Sequence, residues 1–136
     1  MFSSLDISAS GLSAEQLRMS IIANNLANAQ TTSPDGQPFK RKLVLFSEVL
    51  DETIDTDIEK YGGVEVDSIA ESRAPHKVVY DPSHPHANQD GYVAYPNVNP
   101  VEEMVDMITA SRAYEANIAA FNAAKTMMSK ALELGQ

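Results

Sequence analysis

Between Asp81 and Asp90 the chain places His84, Pro85 and His86, residue types that ligate zinc and other divalent cations. The spacing is poor for that chemistry. Two imidazoles flanking a proline in an extended segment point apart, and a closed zinc site needs two further ligands close in space. A surface turn is the favoured reading, and a small metal-dependent enzyme centred on His84 and His86 is kept as a competitor that chelation would expose. Asp51, Glu52, Asp55, Asp57 and Glu59 offer carboxylates for acid/base work, but their run is polar and contains nothing to desolvate them. They read as a solvated acidic loop near 48–62. The sequence holds no Gly-rich phosphate loop, G-x-S-x-G elbow, H-E-x-x-H pair or EF-hand spacing. No catalytic residue, cofactor or metal is therefore expected. Lys40, Arg41 and Lys42 form the one basic cluster; it flanks a strand pattern, with a neighbouring subunit's acidic loop as a weaker option.

Composition narrows the field. Ten Lys and Arg against nineteen Asp and Glu give 136 residues a net charge of -9, which repels nucleic-acid phosphates and anionic lipid. Cysteine is absent, so disulfides, thiolate nucleophiles and Cys-ligated clusters are excluded. No apolar run of about 18 residues exists, and the first residues lack the pattern of a cleaved secretory signal. Without tryptophan, and with nine Tyr and Phe, a large aromatic core is not expected. Some stability has to come from partners.

The elements that must position any function stand at the two ends. Leu5 to Ala29 reads as a helix, with Leu12, Gln16, Met19, Ala23 and Leu26 at alternating steps of three and four. Ser3 or Ser4 is its expected N-cap, and residues 31–36 its stop. Asn99 as N-cap, Pro100 as first helical residue and Glu102 three positions after the cap start a second helix. From there Met104, Met107, Ser111, Tyr114, Ile118, Phe121, Lys125, Met128 and Leu132 keep the same alternation to Gly135. Residues 42–49, 64–69, 77–80 and 92–95 read as four short strands, with Gly62-Gly63, Asp81-Pro82-Ser83 and Asp90-Gly91 as the turns between them. The expected fold is α+β: residues 1–30 and 100–136 pair as an antiparallel coiled coil, and 31–99 form a small β-rich middle domain.

Helices of about 25 and 35 residues outreach any core that the roughly 70 residues between them can supply. Residues 19–34 and 116–124 carry no charge but many Ala and Asn, which allows backbones to approach and side-chain amides to bond across an interface. Subunit contacts are accordingly expected at Leu12, Met19, Asn24, Asn25, Leu26 and Asn28, and at Met104, Ile108, Tyr114, Asn117, Ile118, Phe121 and Met128. A helical assembly module is as far as these patterns lead, with a coiled-coil adaptor or export chaperone as the rival.

Ser10-Gly11-Leu12, the run Ala23-Asn24-Asn25-Leu26-Ala27-Asn28-Ala29, and Thr31-Thr32 resemble the N-terminal end of the axial proteins of the bacterial flagellum, the rod and hook group. Asn97-Val98-Asn99, Val101-Glu102-Glu103-Met104-Val105 and Arg112-Ala113-Tyr114-Glu115-Ala116-Asn117 resemble their C-terminal end. Residues 36–42 and 88–93 extend the likeness through most of the chain. The resemblance implies a structural subunit of the proximal rod, the shaft carrying torque across the periplasm, exported by the flagellar type III apparatus and needed for motility. It implies as neighbours further copies and the rod proteins FlgB, FlgF and FlgG, with FliE and the MS ring at the rod base. It also implies ends that become ordered on assembly.

Overall fold

A computed structural model describes residues 2–50 and 61–134. The element order is α1 (Phe2–Ala27), β1 (Lys42–Leu50), β2 (Tyr61–Glu71), β3 (Lys77–Tyr80), β4 (Tyr92–Tyr95) and α2 (Pro100–Leu134). The α+β expectation holds. Helix α1 begins at Phe2, ahead of the expected caps Ser3 and Ser4, and stops two residues before Ala29. Its end is closed locally. Asn28 Nδ2 donates to the Asn24 carbonyl, Thr31 Oγ1 donates to Asn28 Oδ1, and Gly36 then turns at φ +68°. Helix α2 starts where its sequence places it, with the Val101 amide donating to Asn99 Oδ1 and Pro100 at the position where a missing N–H costs nothing.

Strands β1 and β2 form an antiparallel hairpin from Lys42↔Glu71 to Leu50↔Tyr61. Leu45 faces Ser68 while Phe46 faces Val66, so Asp67 is the extra residue of a bulge. Both strands are longer than the alternation indicates. Gly62 and Gly63 are not a turn but the second and third residues of β2, and the expected acidic loop loses 48–50 and 61–62 to strands. The remainder of that loop, with its five acids, lies outside the described residues. Strands β3 and β4 make a separate antiparallel pair, Lys77↔Tyr95 to Tyr80↔Tyr92.

The helices run antiparallel. Asn25 bonds Glu103, and Gly11 abuts Asn117, so fourteen residues along α1 correspond to fourteen in reverse along α2, about 21 Å of shared contact. In the same register Phe2 lies opposite position 126, and residues 127–134 continue for about 12 Å past the first described residue of α1.

The face of each helix turned toward the other differs from the expected stripe. On α1 it carries Gly11, Ala14, Ile22 and Asn25, while Ala9, Gln16 and Ala23 are exposed. On α2 it carries Glu103, Ala110, Asn117 and Ala124 alternating with Met107, Tyr114, Phe121 and Met128, while Met104, Ile118, Lys125 and Leu132 are exposed. Small and polar residues share the inside with these larger side chains. Among the described residues the buried apolar side chains are Ala14, Ile22, Ala110 and Ala124 on the helices, Val93 in β4, and Val98, Pro38 and Pro96 outside the elements. This is a slight core for helices of 26 and 35 residues.

Candidate functional site

The most enclosed polar group is Glu103, fully buried near the start of α2, beside Asn25, which is 1% exposed. Asn25 Nδ2 donates to Glu103 Oε2 at 3.0 Å and to the Lys42 carbonyl at 2.8 Å, and its Oδ1 accepts the Lys42 amide at 2.9 Å. Arg41 Nε donates to Glu103 Oε1, and Arg41 Nη2 donates to Asp106 Oδ2 at 3.0 Å. The Arg41 amide donates to Asn97 Oδ1, whose Nδ2 donates to the Ala74 carbonyl. Every arm of this network joins a different segment. It ties α1, the first residue of β1, the loop after β2 and the start of α2 into one junction. With both carboxylate oxygens engaged by donors, Glu103 is a clasp, not an available general base.

A second junction explains Ser10 and Gly11. Ser10 Oγ donates to the Ile7 carbonyl and accepts the Val64 amide at 3.1 Å. Gly63 sits against it at φ +101°, a conformation that favours glycine. A Cβ on Gly63 would collide with Ser10 Oγ, and one on Gly11 would stand 2.8 Å from Asn117 Nδ2. The first helix thus grips the hairpin and the second helix from adjacent positions.

The residues expected at subunit contacts divide. Asn25 is committed within the chain, and Asn117 packs on Gly11. Asn28 closes its own helix end. Tyr114, Phe121 and Met128 lie half-buried along the inner side of α2, and Leu12, Met19 and Leu26 are half-buried on α1. Asn24, Met104, Ile108 and Ile118 face solvent. Met104 and Ile108 join Val101 and Val105, which the sequence reading left out, in a row at i, i+3, i+4 and i+7. All four are 53 to 67% exposed. The helical spacing was visible in the sequence, but nothing there showed that Glu103, not its apolar neighbours, turns inward.

His84 and His86 sit in the turn from β3 to β4, which is tight and not extended. The His86 amide donates to His84 Nδ1, and the rings meet edge to face at 5.4 Å. His86 Nδ1 lies 2.8 Å from Thr32 Oγ1, pinning the turn to the segment after α1. Asp81 Oδ1 accepts from the Ser83 hydroxyl and amide, and these bonds, with a smaller part from His84, hold its carboxyl below the usual aspartate value. Among the described residues no three His, Asp or Glu side chains gather as a metal site would require.

The arrangement combines internal clasps with exposed apolar side chains on the outer side of α2. The family model described as "Flagella basal body rod protein" matches residues 5–34, and that described as "Flagellar basal body rod FlgEFG protein C-terminal" matches residues 89–134. These segments contain Asn25 and Glu103. The chain is 42% identical to the flagellar basal-body rod protein FlgC of Bacillus subtilis, over 99% of this chain and 98% of that protein. It is 47% identical to FlgC of Salmonella typhimurium over 96% and 95%, and 45% identical to FlgC of Aquifex aeolicus over 98% and 96%. The chain belongs to the FlgC family of flagellar basal-body rod proteins.

Proposed function

We propose that this rod protein is a structural subunit of the proximal rod, assembling through α1 and α2 into the shaft that carries torque across the periplasm. Residues 1–30 and 100–136 are the assembling part and 31–99 the displayed part. Its neighbours are the other rod proteins FlgB, FlgF and FlgG, FliE and the MS ring at the rod base, and further copies of itself. It reaches them through the flagellar type III export apparatus and is required for motility.

One observation carries the assembly reading beyond family membership: Val101, Met104, Val105 and Ile108 form an apolar row on the side of α2 turned away from α1. Four large side chains at helical spacing, all more than half in water, are a face made for another helix. The test is complementation of a bacterium lacking its own copy. Met104→Asp with Ile108→Asp should leave circular dichroism and melting unchanged, because neither side chain is buried here, and should abolish motility and incorporation into basal bodies. Normal swimming by that strain would remove α2 from the assembly surface.

A further inference from the structure

We infer that the loop from β2 to β3 forms, with Lys40, a docking point for a side-chain carboxylate of a partner protein. None of its residues belongs to α1 or α2, so the contact stands apart from the assembly reading above.

The chain has a net charge of -9, and Arg18, Lys40, Arg41 and Arg112 each stand beside an acid. Arg73 does not. Among the described residues no carboxylate lies within ion-pair distance of it. Three positions on, His76 Nδ1 is enclosed by protein and has no hydrogen-bond partner among the described residues. Residues 72–80 hold no acid. The basic cluster legible in the sequence adds one member. Arg41 turns to Glu103 and Asp106, and Lys42 lies over the Phe39 ring. Lys40 instead lines an open cavity of about 420 Å³ with Glu71, Ser72, Arg73, Ala74 and His76.

The wall of this cavity is fixed by the chain itself. The Ser72 amide donates to the Arg41 carbonyl at 2.7 Å, the Ala74 amide donates to Ser72 Oγ at 3.3 Å, and Asn97 Nδ2 donates to the Ala74 carbonyl at 2.9 Å. The loop is thus tied to the clasp junction on both sides of Arg73. Lys40 is held by Glu71 at 3.6 Å with both side chains about half exposed, a loose pair that exchanges readily for a better-placed acid.

Charge selects the occupant. Lys40 and Arg73 against Glu71 leave one positive charge, which one carboxylate balances, whereas a phosphate dianion would bring a negative excess beside Glu71. Arg73 offers the planar fork that fits a carboxylate, and His76 and the Ser72 hydroxyl add donors. The net charge refuses a nucleic-acid strand. An Asp or Glu presented by an acidic protein segment satisfies all of these groups.

The test has two arms. The α-amide of N-acetylglutamate, titrated into the dilute chain, should shift the Arg73 Nε–H, Ser72 amide and His76 ring resonances together and saturably in the millimolar range; inorganic phosphate should shift them less. Arg73→Ala, at an exposed position and so with unchanged melting, should weaken the response about fivefold, the weight of one exposed ion pair, and Arg73→Lys should recover part of it. In isolated basal bodies a carbodiimide, which joins an amine to a carboxylate in contact with it, should link Lys40 to an Asp or Glu of another molecule. The linked peptide then identifies a further copy or a different rod protein as the donor. A stronger response to phosphate, an equal response in Arg73→Ala, or Lys40 linked in basal bodies to Glu71 alone would overturn the inference. The rod-subunit reading, tested by Met104→Asp with Ile108→Asp, would be untouched by any of these.

Discussion

At the scale of single residues, the Asn25–Glu103–Arg41 clasp concentrates the chain's buried polar chemistry. A carboxylate with no exposed surface is tolerable because Arg41 and Asn25 supply donors to both its oxygens. Removing one partner strands it. Arg41→Ala should lower unfolding free energy by about 3 kcal/mol, read from urea denaturation. Asn25→Asp is expected to be at least as harmful, because it sets a second carboxylate where a donor stood 3.0 Å from Glu103. Adding Glu103→Gln to Asn25→Asp should recover part of the loss, since a donor again faces an acceptor; no recovery would mean the pair is not coupled. Asp81 gives a smaller residue-scale test. Its bonds with Ser83 favour the ionised form, so the folded pKa lies below the unfolded one. What those bonds contribute is present above the ordinary aspartate value and lost as pH falls through the depressed one. The Ser83 amide shift should titrate with a midpoint below that of an unstructured aspartate, and Ser83→Ala should raise the midpoint.

At the scale of elements, the sequence made both helices, the four strands and the start of α2 legible, because Asn99-Pro100 and the apolar alternation are local signals. It did not reveal that small and polar residues share the inward face of each helix with the larger ones of the expected stripe. Hydrophobic periodicity finds the stripe of large side chains, and in an ordinary globule that stripe is the core. Here the inner face adds Glu103, Ala110, Asn117 and Ala124 to the expected Met107, Tyr114, Phe121 and Met128 on one helix, and sets Gly11, Ala14 and Asn25 beside Ile22 on the other, while Met104, Ile108 and Ile118 are left outside. Close helix approach needs small residues and bonded polar ones, and a pattern search passes over both. Gly62-Gly63 misled for a related reason. Paired glycines usually mark turns, yet Gly63 serves a strand that presses on Ser10. Gly63→Ala should cost about 1 to 3 kcal/mol for the positive φ alone, with the collision against Ser10 added. Ser10→Ala in the same chain should relieve the collision but not the backbone strain. Chemical denaturation of the two variants checks this: full rescue by Ser10→Ala would show that φ is not the constraint.

At the scale of the molecule, order should be graded along α2 according to what lies beside it. Residues 103–124 have α1 alongside and the Arg41 clasp at one end. Residues 127–134 have only the half-buried Met128 against the rest of the chain, and a helix end held mostly by its own backbone bonds frays, since isolated helices of that length are marginal in water. The apolar row of the first turns is different, because the clasp fixes its backbone even while its side chains meet solvent. Hydrogen exchange on the dilute chain should therefore show the amides of 127–134 exchanging orders of magnitude faster than those of 107–121, with 104–108 protected despite their exposed side chains. In isolated basal bodies the slow class should extend to the end of the helix, because docking supplies the contacts that the single chain lacks and offsets the entropy of ordering it. Uniform protection along α2 in the dilute chain would show instead that the helix is complete by itself. The apolar surface left at its two ends would then need an explanation other than assembly.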